Sequence, residues 1–442
     1  MTYPEALEIE SVDHEARGVA RYDGKVIFVD GALPGERVTA SPYRRREKYE
    51  NAQISHLVHA SSARVAPRCA HFGVCGGCSM QHADVRTQVA IKQRVLEDNL
   101  RHIGRVTPDL MLRPIEGPAW EYRYRARLSV RHVAKKGGVL VGFHERRSSF
   151  VADMRDCHVL PRRIADLLMP LRELVAGLTI RDRMPQIELA VGSNVDVLVF
   201  RLLAPLTEAD TDRLKSFAEC HAVQIWTQTA GPETAIPLWP LDAPPLTYEL
   251  PAFAVSVPFR PTDFTQVNHQ INATLVSRAL RLLDPQPHER IGDFFCGLGN
   301  FTLPLARHAR EVLGVEGSKP LVARARENAA LNSLAGNTRF EAANLFVATT
   351  ESVQGWGRFD KLLIDPPREG ATELLKAICT LGRDDPKRMP RRIVYVSCNP
   401  ATLARDAGML VGEFGFCLKA AGVVNMFPHT SHVESIALFE CP

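Results

Sequence analysis

Apolar and polar positions alternate in three distinct ways along the chain, and the changes divide it. Up to about residue 59 the runs are short and of period two. Glu8-Ile9-Glu10-Ser11-Val12 alternates, Gly18-Val19-Ala20-Arg21 leads into a turn at Asp23-Gly24, and Lys25-Val26-Ile27-Phe28-Val29 is a strand. Turn-rich Gly31 to Glu36 precedes a further strand at Arg37-Val38-Thr39-Ala40. Short strands with such turns predict a small β-barrel. Between 60 and 261 the pattern is mixed. It holds a helix over Gln88 to Arg101, a strand over Tyr122 to Leu128, a helix near Ile164 to Ala176, strands near Gln186 to Val191 and Asp196 to Leu202, and a helix near Glu208 to Cys220. From 262 to 442 helices and strands alternate. Strands are expected at Arg290 to Phe295, Val312 to Glu316, Lys361 to Ile364, Ile393 to Val396 and Glu434 to Phe439. That succession predicts a doubly wound, largely parallel sheet.

The 442 residues suffice for two or three domains, and 45% hydrophobic with 24% charged residues is a globular composition. No apolar run reaches membrane-spanning length, and MTYPEALEIE has acids and no apolar core, so neither a membrane span nor a signal peptide is expected. A cytoplasmic protein follows. Ten cysteines then point to metal or catalysis rather than disulfides. Net charge is only +4, but Arg101 to Arg163 holds 14 Lys/Arg against 6 Asp/Glu. Such a local excess suits a phosphate backbone. Arg123, Arg125 and Arg127 fall on one strand face, with Lys135, Lys136, Arg146 and Arg147 near in sequence. The run Arg44-Arg45-Arg46 is either a phosphate contact or a solvated loop.

Cys69, Cys75 and Cys78 stand at C-x5-C-x2-C spacing among glycines. Cysteines three residues apart can chelate one centre, and a fourth ligand is then required. Cys157 is the candidate, with His71 and His158 as lesser ones; spacing does not separate zinc from iron–sulfur.

The chemistry concentrates at strand ends. Asp293-Phe-Phe-Cys-Gly-Leu-Gly-Asn-Phe301 is a glycine-rich turn that resembles the cofactor-binding motif of S-adenosylmethionine methyltransferases. Glu316 ends the next strand, where a carboxylate can accept from two ribose hydroxyls. Asp365-Pro-Pro-Arg368 resembles the loop of enzymes that methylate exocyclic nitrogens, save that Arg368 stands where an aromatic is usual. Pro400 ends the strand that delivers Cys398 to a loop mouth. A lone cysteine is ordinarily a small buried apolar residue. An amine needs no thiolate, but carbon 5 of a pyrimidine does, being a poor nucleophile until a thiolate adds to carbon 6. A base must then remove the carbon-5 proton, and Glu434 is the first choice, with His429 and His432 as rivals.

Taken together, the barrel pattern GVAR-DGKVIFVDGALPGERV, the cysteine motif, FTQVN, DFFCGLGNFTLPLA, DPPR, SCNP and HTSHVES resemble the RNA uracil-5-methyltransferase family over nearly the whole chain. The resemblance is to the branch that modifies 23S ribosomal RNA, since the tRNA branch lacks the cluster cysteines and the barrel. It implies an N-terminal OB-like barrel (a TRAM domain, 1–59), a central α/β domain with an iron–sulfur cluster and a basic RNA-binding surface (60–261), and a Rossmann-like methyltransferase domain (262–442). It implies that Cys69, Cys75, Cys78 and Cys157 hold a [4Fe–4S] cluster. Gln266, Phe295, Asn300, Glu316, Asn344 and Asp365 would bind S-adenosylmethionine, Cys398 would be the nucleophile and Glu434 the base. The partner would be 23S ribosomal RNA, the protein a monomer, and the cluster structural, no electron-transfer motif being visible.

Two other readings compete. Nitrogen methylation of RNA would leave Cys398 dispensable. An RNA-binding assembly factor with a vestigial catalytic domain would bind RNA without methyl transfer.

Overall fold

The computed structural model describes residue 3, residues 5–136 and residues 138–442; the side chain of Lys136, named above as a basic residue, lies outside the described set. Six strands form the first module: β1 (Leu7–Glu8), β2 (Ser11–Val12), β3 (Arg17–Tyr22), β4 (Lys25–Asp30), β5 (Arg37–Arg45) and β6 (Tyr49–His59). Their order is β1-β5-β6-β4-β3-β2. Because β1 and β2 are two halves of one short segment, the sheet closes on itself as a barrel around Ile27, Val29, Val38 and Ala52. Asp23 and Gly24 both have positive φ (48° and 73°), the tight turn that the right-handed twist of β3 and β4 favours. Arg44 and Arg45 extend β5 instead of forming a loop, and Arg45 pairs with Glu50 on β6.

Helix α1 (Val85–Asn99) follows, then β7 (Leu110–Met111). The central sheet contains β8 (Arg125–Val133), β9 (Gly138–Gly142), β10 (Gln186–Val191), β11 (Asp196–Arg201), β12 (Gln224–Gln228) and β13 (Ile236–Trp239), in the order β13-β12-β11-β10-β8-β9. Short α2 (Arg162–Ala165), α3 (Leu168–Ala176) and α4 (Glu208–His221) accompany it. Leu171, Val175, Leu214 and Phe217 of α3 and α4 share one core with Leu128, Ile187 and Phe200 of the sheet.

A hairpin of β14 (Leu246–Leu250) and β15 (Val255–Phe259) leads into the last unit. There α5 (His269–Leu283), β16 (Arg290–Phe294), α6 (Thr302–Ala306), β17 (Glu311–Glu316), α7 (Lys319–Leu331), β18 (Thr338–Ala342), α8 (Thr350–Trp356), β19 (Lys361–Ile364), α9 (Thr372–Asp384), β20 (Arg392–Ser397), α10 (Pro400–Gly412), β21 (Cys417–Val424) and β22 (Glu434–Glu440) follow. The eight-stranded sheet runs β18-β17-β16-β19-β20-β22-β21-β7. Strands β16 to β20 are parallel, and the chain switches direction of travel between β16 and β19.

Two pieces from before residue 262 pack on this unit. The β14–β15 hairpin shares a core with Leu275 and Val276 of α5. Strand β7 pairs with β21, and α1 buries Val95 and Leu96 against α10 and β21. The fit is close: a Cβ added at Gly408 of α10 would lie 2.7 Å from the Gly104 carbonyl oxygen. Periodicity marks α1 as amphipathic but does not say which sheet its apolar face will meet.

Candidate active site

Parallel strands deliver their C-terminal ends to one edge of the sheet, where open α/β folds bind ligands. Here that edge presents Phe295 after β16, Glu316 at the end of β17, Asp365 after β19 and Cys398 after β20. Strand β22 runs the other way, so its first residue, Glu434, arrives at the same edge. The register Ser397↔Ser435 makes Cys398 and Glu434 neighbours one step further on. All six expected cofactor residues (Gln266, Phe295, Asn300, Glu316, Asn344 and Asp365) line one cavity of about 500 Å³, together with Cys398, Glu434 and Arg368.

The glycine-rich turn is built for close backbone approach. Phe295 adopts φ 64°, a left-handed conformation rare for a bulky residue and strained by about 1–3 kcal/mol. Gly297 and Gly299 follow with φ of 55° and 92°. Each carboxylate oxygen of Glu316 accepts one backbone N–H, from Gly297 at 3.2 Å and Ser318 at 2.9 Å. A carboxylate offers about four lone-pair positions, so both oxygens keep capacity for a diol. Asn300 is locked by reciprocal amide bonds with Asn272 (2.8 and 3.0 Å) and accepts from the Tyr248 hydroxyl at 3.1 Å. Asn344 caps the turn after β18 by accepting the Phe346 N–H at 3.1 Å, and the rings of Phe346 and Phe295 stand 5.6 Å apart. Two aromatic faces and a diol acceptor fit an adenosine-bearing cofactor.

Burial sets the charges. It pushes the Asp365 carboxyl up to about 7. It also pushes Glu434 up to about 8, with Asp365 adding to the rise and Lys92 and Arg368 opposing it. The Cys398 thiol is pushed up to about 12 by burial and by the charges of Glu434 and Asp365, and Arg368 opposes. The resting thiol is therefore protonated, and a cation entering the cavity would favour its thiolate and both carboxylates.

The rivals of Glu434 lie elsewhere. His429 is buried, stacks on Trp120 at 3.8 Å and hydrogen-bonds Gln88 through Nδ1. His432 lines a second cavity beside Arg123. Neither borders the first cavity.

The four cysteines Cys69, Cys75, Cys78 and Cys157 line one small pocket, and none is in a disulfide. Burial raises the thiols of Cys75, Cys78 and Cys157, and neighbouring sulfurs raise each further. Among the described residues no three His, Cys, Asp or Glu side chains are close enough to hold a single metal ion. Tetrahedral zinc requires four sulfurs about 2.3 Å from one point. His71 is committed elsewhere, accepting the Arg155 N–H through Nε2 at 3.1 Å.

Several residues of the expected basic surface have acidic partners within the protein. Arg125 and Arg127 do share a face of β8, but both pair with Glu188 on β10. Arg123 lies before the strand, with its guanidinium 5.5 Å from the Phe143 ring. Arg146 and Arg147 pair with Asp30 of the barrel, so they dock that module on the central one. Charge composition shows the sign of a surface and not which partner takes it.

Residues 255–441 match the family model described as tRNA (Uracil-5-)-methyltransferase, and residues 6–41 match the TRAM domain. A 23S rRNA (uracil(1939)-C(5))-methyltransferase of Chromobacterium violaceum is 60% identical over all of this chain and 86% of its own length. Its namesake in Nitrosospira multiformis is 61% identical, covering all of this chain and 99% of that one. The chain belongs to the RNA uracil-5-methyltransferase family. In fold it resembles the tRNA (uracil-54, C5)-methyltransferase of Pyrococcus abyssi, solved with S-adenosyl-L-homocysteine, at a TM-score of 0.72. That likeness has 22% identity and covers 98% of this chain and all of the other. Family membership agrees with a TRAM module followed by a methyltransferase fold. No described helix is long and apolar enough to cross a membrane.

Several residues that shape the site carry no motif. Tyr248 and Asn272 set Asn300. Gln88, Lys92, Trp120 and Tyr122 hold the loop before Glu434.

Proposed function

We propose that this chain methylates carbon 5 of one uridine in 23S ribosomal RNA, the uridine at position 1939 for which its relatives are named. The observation that carries the reading is the pairing of Cys398 with Glu434 at one edge of a cavity that also holds every expected cofactor residue. S-adenosylmethionine supplies an electrophilic methyl group on a positively charged sulfonium. Glu316 would accept its ribose hydroxyls, and Gln266, Phe295, Asn300, Asn344 and Asp365 would line the rest of its site.

The uridine leaves its stack to enter the cavity. The Cys398 thiol gives up its proton to solvent, the thiolate adds to carbon 6, and the ring electrons move onto the carbon-4 oxygen. Carbon 5 of this enolate would then take the methyl group as its bond to the sulfonium sulfur breaks and a neutral thioether leaves. Glu434 removes the carbon-5 proton, the carbon 5–carbon 6 double bond re-forms and the thiolate leaves.

Cys69, Cys75, Cys78 and Cys157 hold a [4Fe–4S] cluster in this reading. The cluster is structural, because the next residues, Ser79 and Met80, donate backbone N–H bonds to the His429 carbonyl, five residues before Glu434. Three units are proposed: a barrel to 59, a cluster-bearing, RNA-facing domain over 60–261 and a catalytic domain from 262. Action in the cytoplasm as a monomer belongs to the same proposal.

The test is methyl transfer from labelled S-adenosylmethionine to a 23S RNA fragment, followed by nucleoside analysis. Label in 5-methyluridine is expected. Label on an exocyclic nitrogen, or RNA binding with no transfer, would replace this reading with one of its competitors.

A further inference from the structure

Lys92 is an anomaly on helix α1. It lies on the helix face that carries Val89, Val95 and Leu96, is 1% exposed, and its ammonium meets neutral acceptors in place of a carboxylate. Lysine is almost never fully buried without such a partner. Its ammonium instead donates to Asn425 Oδ1 at 2.8 Å and to the Phe427 carbonyl at 2.7 Å. Asn425 directly follows Val424, and Val424 is the register partner of Glu434 across β21 and β22. Lys92 therefore grips the β21–β22 connection at the point where it turns away, opposite the first residue of β22.

The grip is reinforced one helical turn earlier. Gln88 accepts the His429 N–H at 2.7 Å and donates to His429 Nδ1 at 3.1 Å. The Tyr122 hydroxyl donates to the Pro428 carbonyl at 2.8 Å, which closes the loop from the other side. Gln88 and Tyr122 are neutral; Lys92 alone of the three brings charge.

We propose that Lys92 is a positioning residue for the proton-accepting carboxylate: from helix α1 it fixes the β21–β22 connection and holds an ammonium group at the strand end opposite Glu434. The proposal rests on the reading of Glu434 as base. The groups that face Glu434 are Asp365 after β19, Arg368 in the following loop, Cys398 after β20 and Lys92 from α1. Asp365 opposes its ionisation, and Lys92 and Arg368 favour it. His429 and His432, on the loop itself, also feel the charge of Lys92. Burial pulls the Lys92 ammonium down to about 7 and an ionised Glu434 opposes this, so each group's charge favours the other's.

A base acts only after methyl transfer, so its helper should leave formation of the Cys398–RNA adduct intact and slow its resolution. The test is a quenched-flow time course on ordinary RNA with wild type, Lys92→Met and Lys92→Gln, resolving adducts on denaturing gels from pH 6 to 9. Lys92→Gln keeps an N–H donor and loses the charge. Adducts should form at wild-type rates in both variants and persist about tenfold longer near neutral pH. The rising limb of resolution should move to higher pH, because Glu434 without its counter-charge gives up its proton less readily. An unmoved limb and unchanged adduct lifetime would overturn the proposal. So would loss of adduct formation and RNA affinity in Lys92→Gln, which would make Lys92 a folding residue. Absence of any adduct in the wild type would instead sink the reading on which the proposal rests.

Discussion

Ser397 and Ser435 are antiparallel register partners, and this places Cys398 and Glu434, each one residue further towards the cavity, side by side. Nucleophile and base thus come from strand ends 36 positions apart in the chain, and no flexible loop lies between either of them and the sheet. Their placement separates the steps: one side chain adds to the base before methyl transfer, and the other acts after it.

Glu434→Gln should stall the reaction after methyl transfer. Gln cannot accept the carbon-5 proton, and losing a general base costs about 10²–10⁴ in rate. A methylated RNA–protein adduct should therefore accumulate on unmodified RNA, visible on a denaturing gel and absent in Cys398→Ala. Free, methylated RNA released at the normal rate would assign the base elsewhere.

The pH dependence has a definite sign. Burial holds the Glu434 carboxyl up at about 8, so the form able to accept a proton is the minority below that pH and the majority above it. Adduct resolution in the wild type should rise with pH and level off above about 8, as single-turnover measurements over pH 6 to 9 would show. A limb near the ordinary carboxylate range would mean that Glu434 is not desolvated when RNA is bound.

Glu316 should govern cofactor affinity and not chemistry. Replacing it with Gln leaves an amide where a carboxylate accepts, and a hydrogen bond to a charged group contributes about 1.5–3 kcal/mol. Glu316→Gln should weaken S-adenosylmethionine binding by about 10- to 100-fold in calorimetry. The single-turnover rate at saturating cofactor should stay close to wild type. Unchanged affinity would remove Glu316 from the site.

Cys78→Ser should lose visible absorbance and iron together. Because Ser79 and Met80 hold the His429 carbonyl, thermal melting should fall too, and the loop before Glu434 should gain hydrogen exchange. Loss of iron with unchanged melting and exchange would separate the cluster from the base loop.

The parts of this site that were legible in the sequence are local. Asp293 to Phe301, Asp365-Pro-Pro and Ser397-Cys-Asn-Pro each join a strand to the chemistry it delivers, so a short window carries both. Asn300 was visible in the same way, but Tyr248 and Asn272, which orient its amide, were not. Lys92 was invisible because its acceptors lie 333 and 335 residues away. Within the helix pattern it reads as one more polar residue. The pairing of Arg146 and Arg147 with Asp30 was hidden for a related reason, since nothing local to a basic pair shows a partner in the barrel. Strand β7 was missed because two residues carry no period.

The central claim is a covalent step at Cys398, and a 23S RNA fragment carrying 5-fluorouridine tests it most directly. Fluorine at carbon 5 cannot leave as a proton, so incubation with S-adenosylmethionine should freeze a methylated adduct. Peptide mass mapping should find it on Cys398 and, from the RNA side, on one uridine. Methyl transfer to ordinary RNA with no adduct on the fluorinated fragment would contradict the account and leave Cys398 as a packing residue.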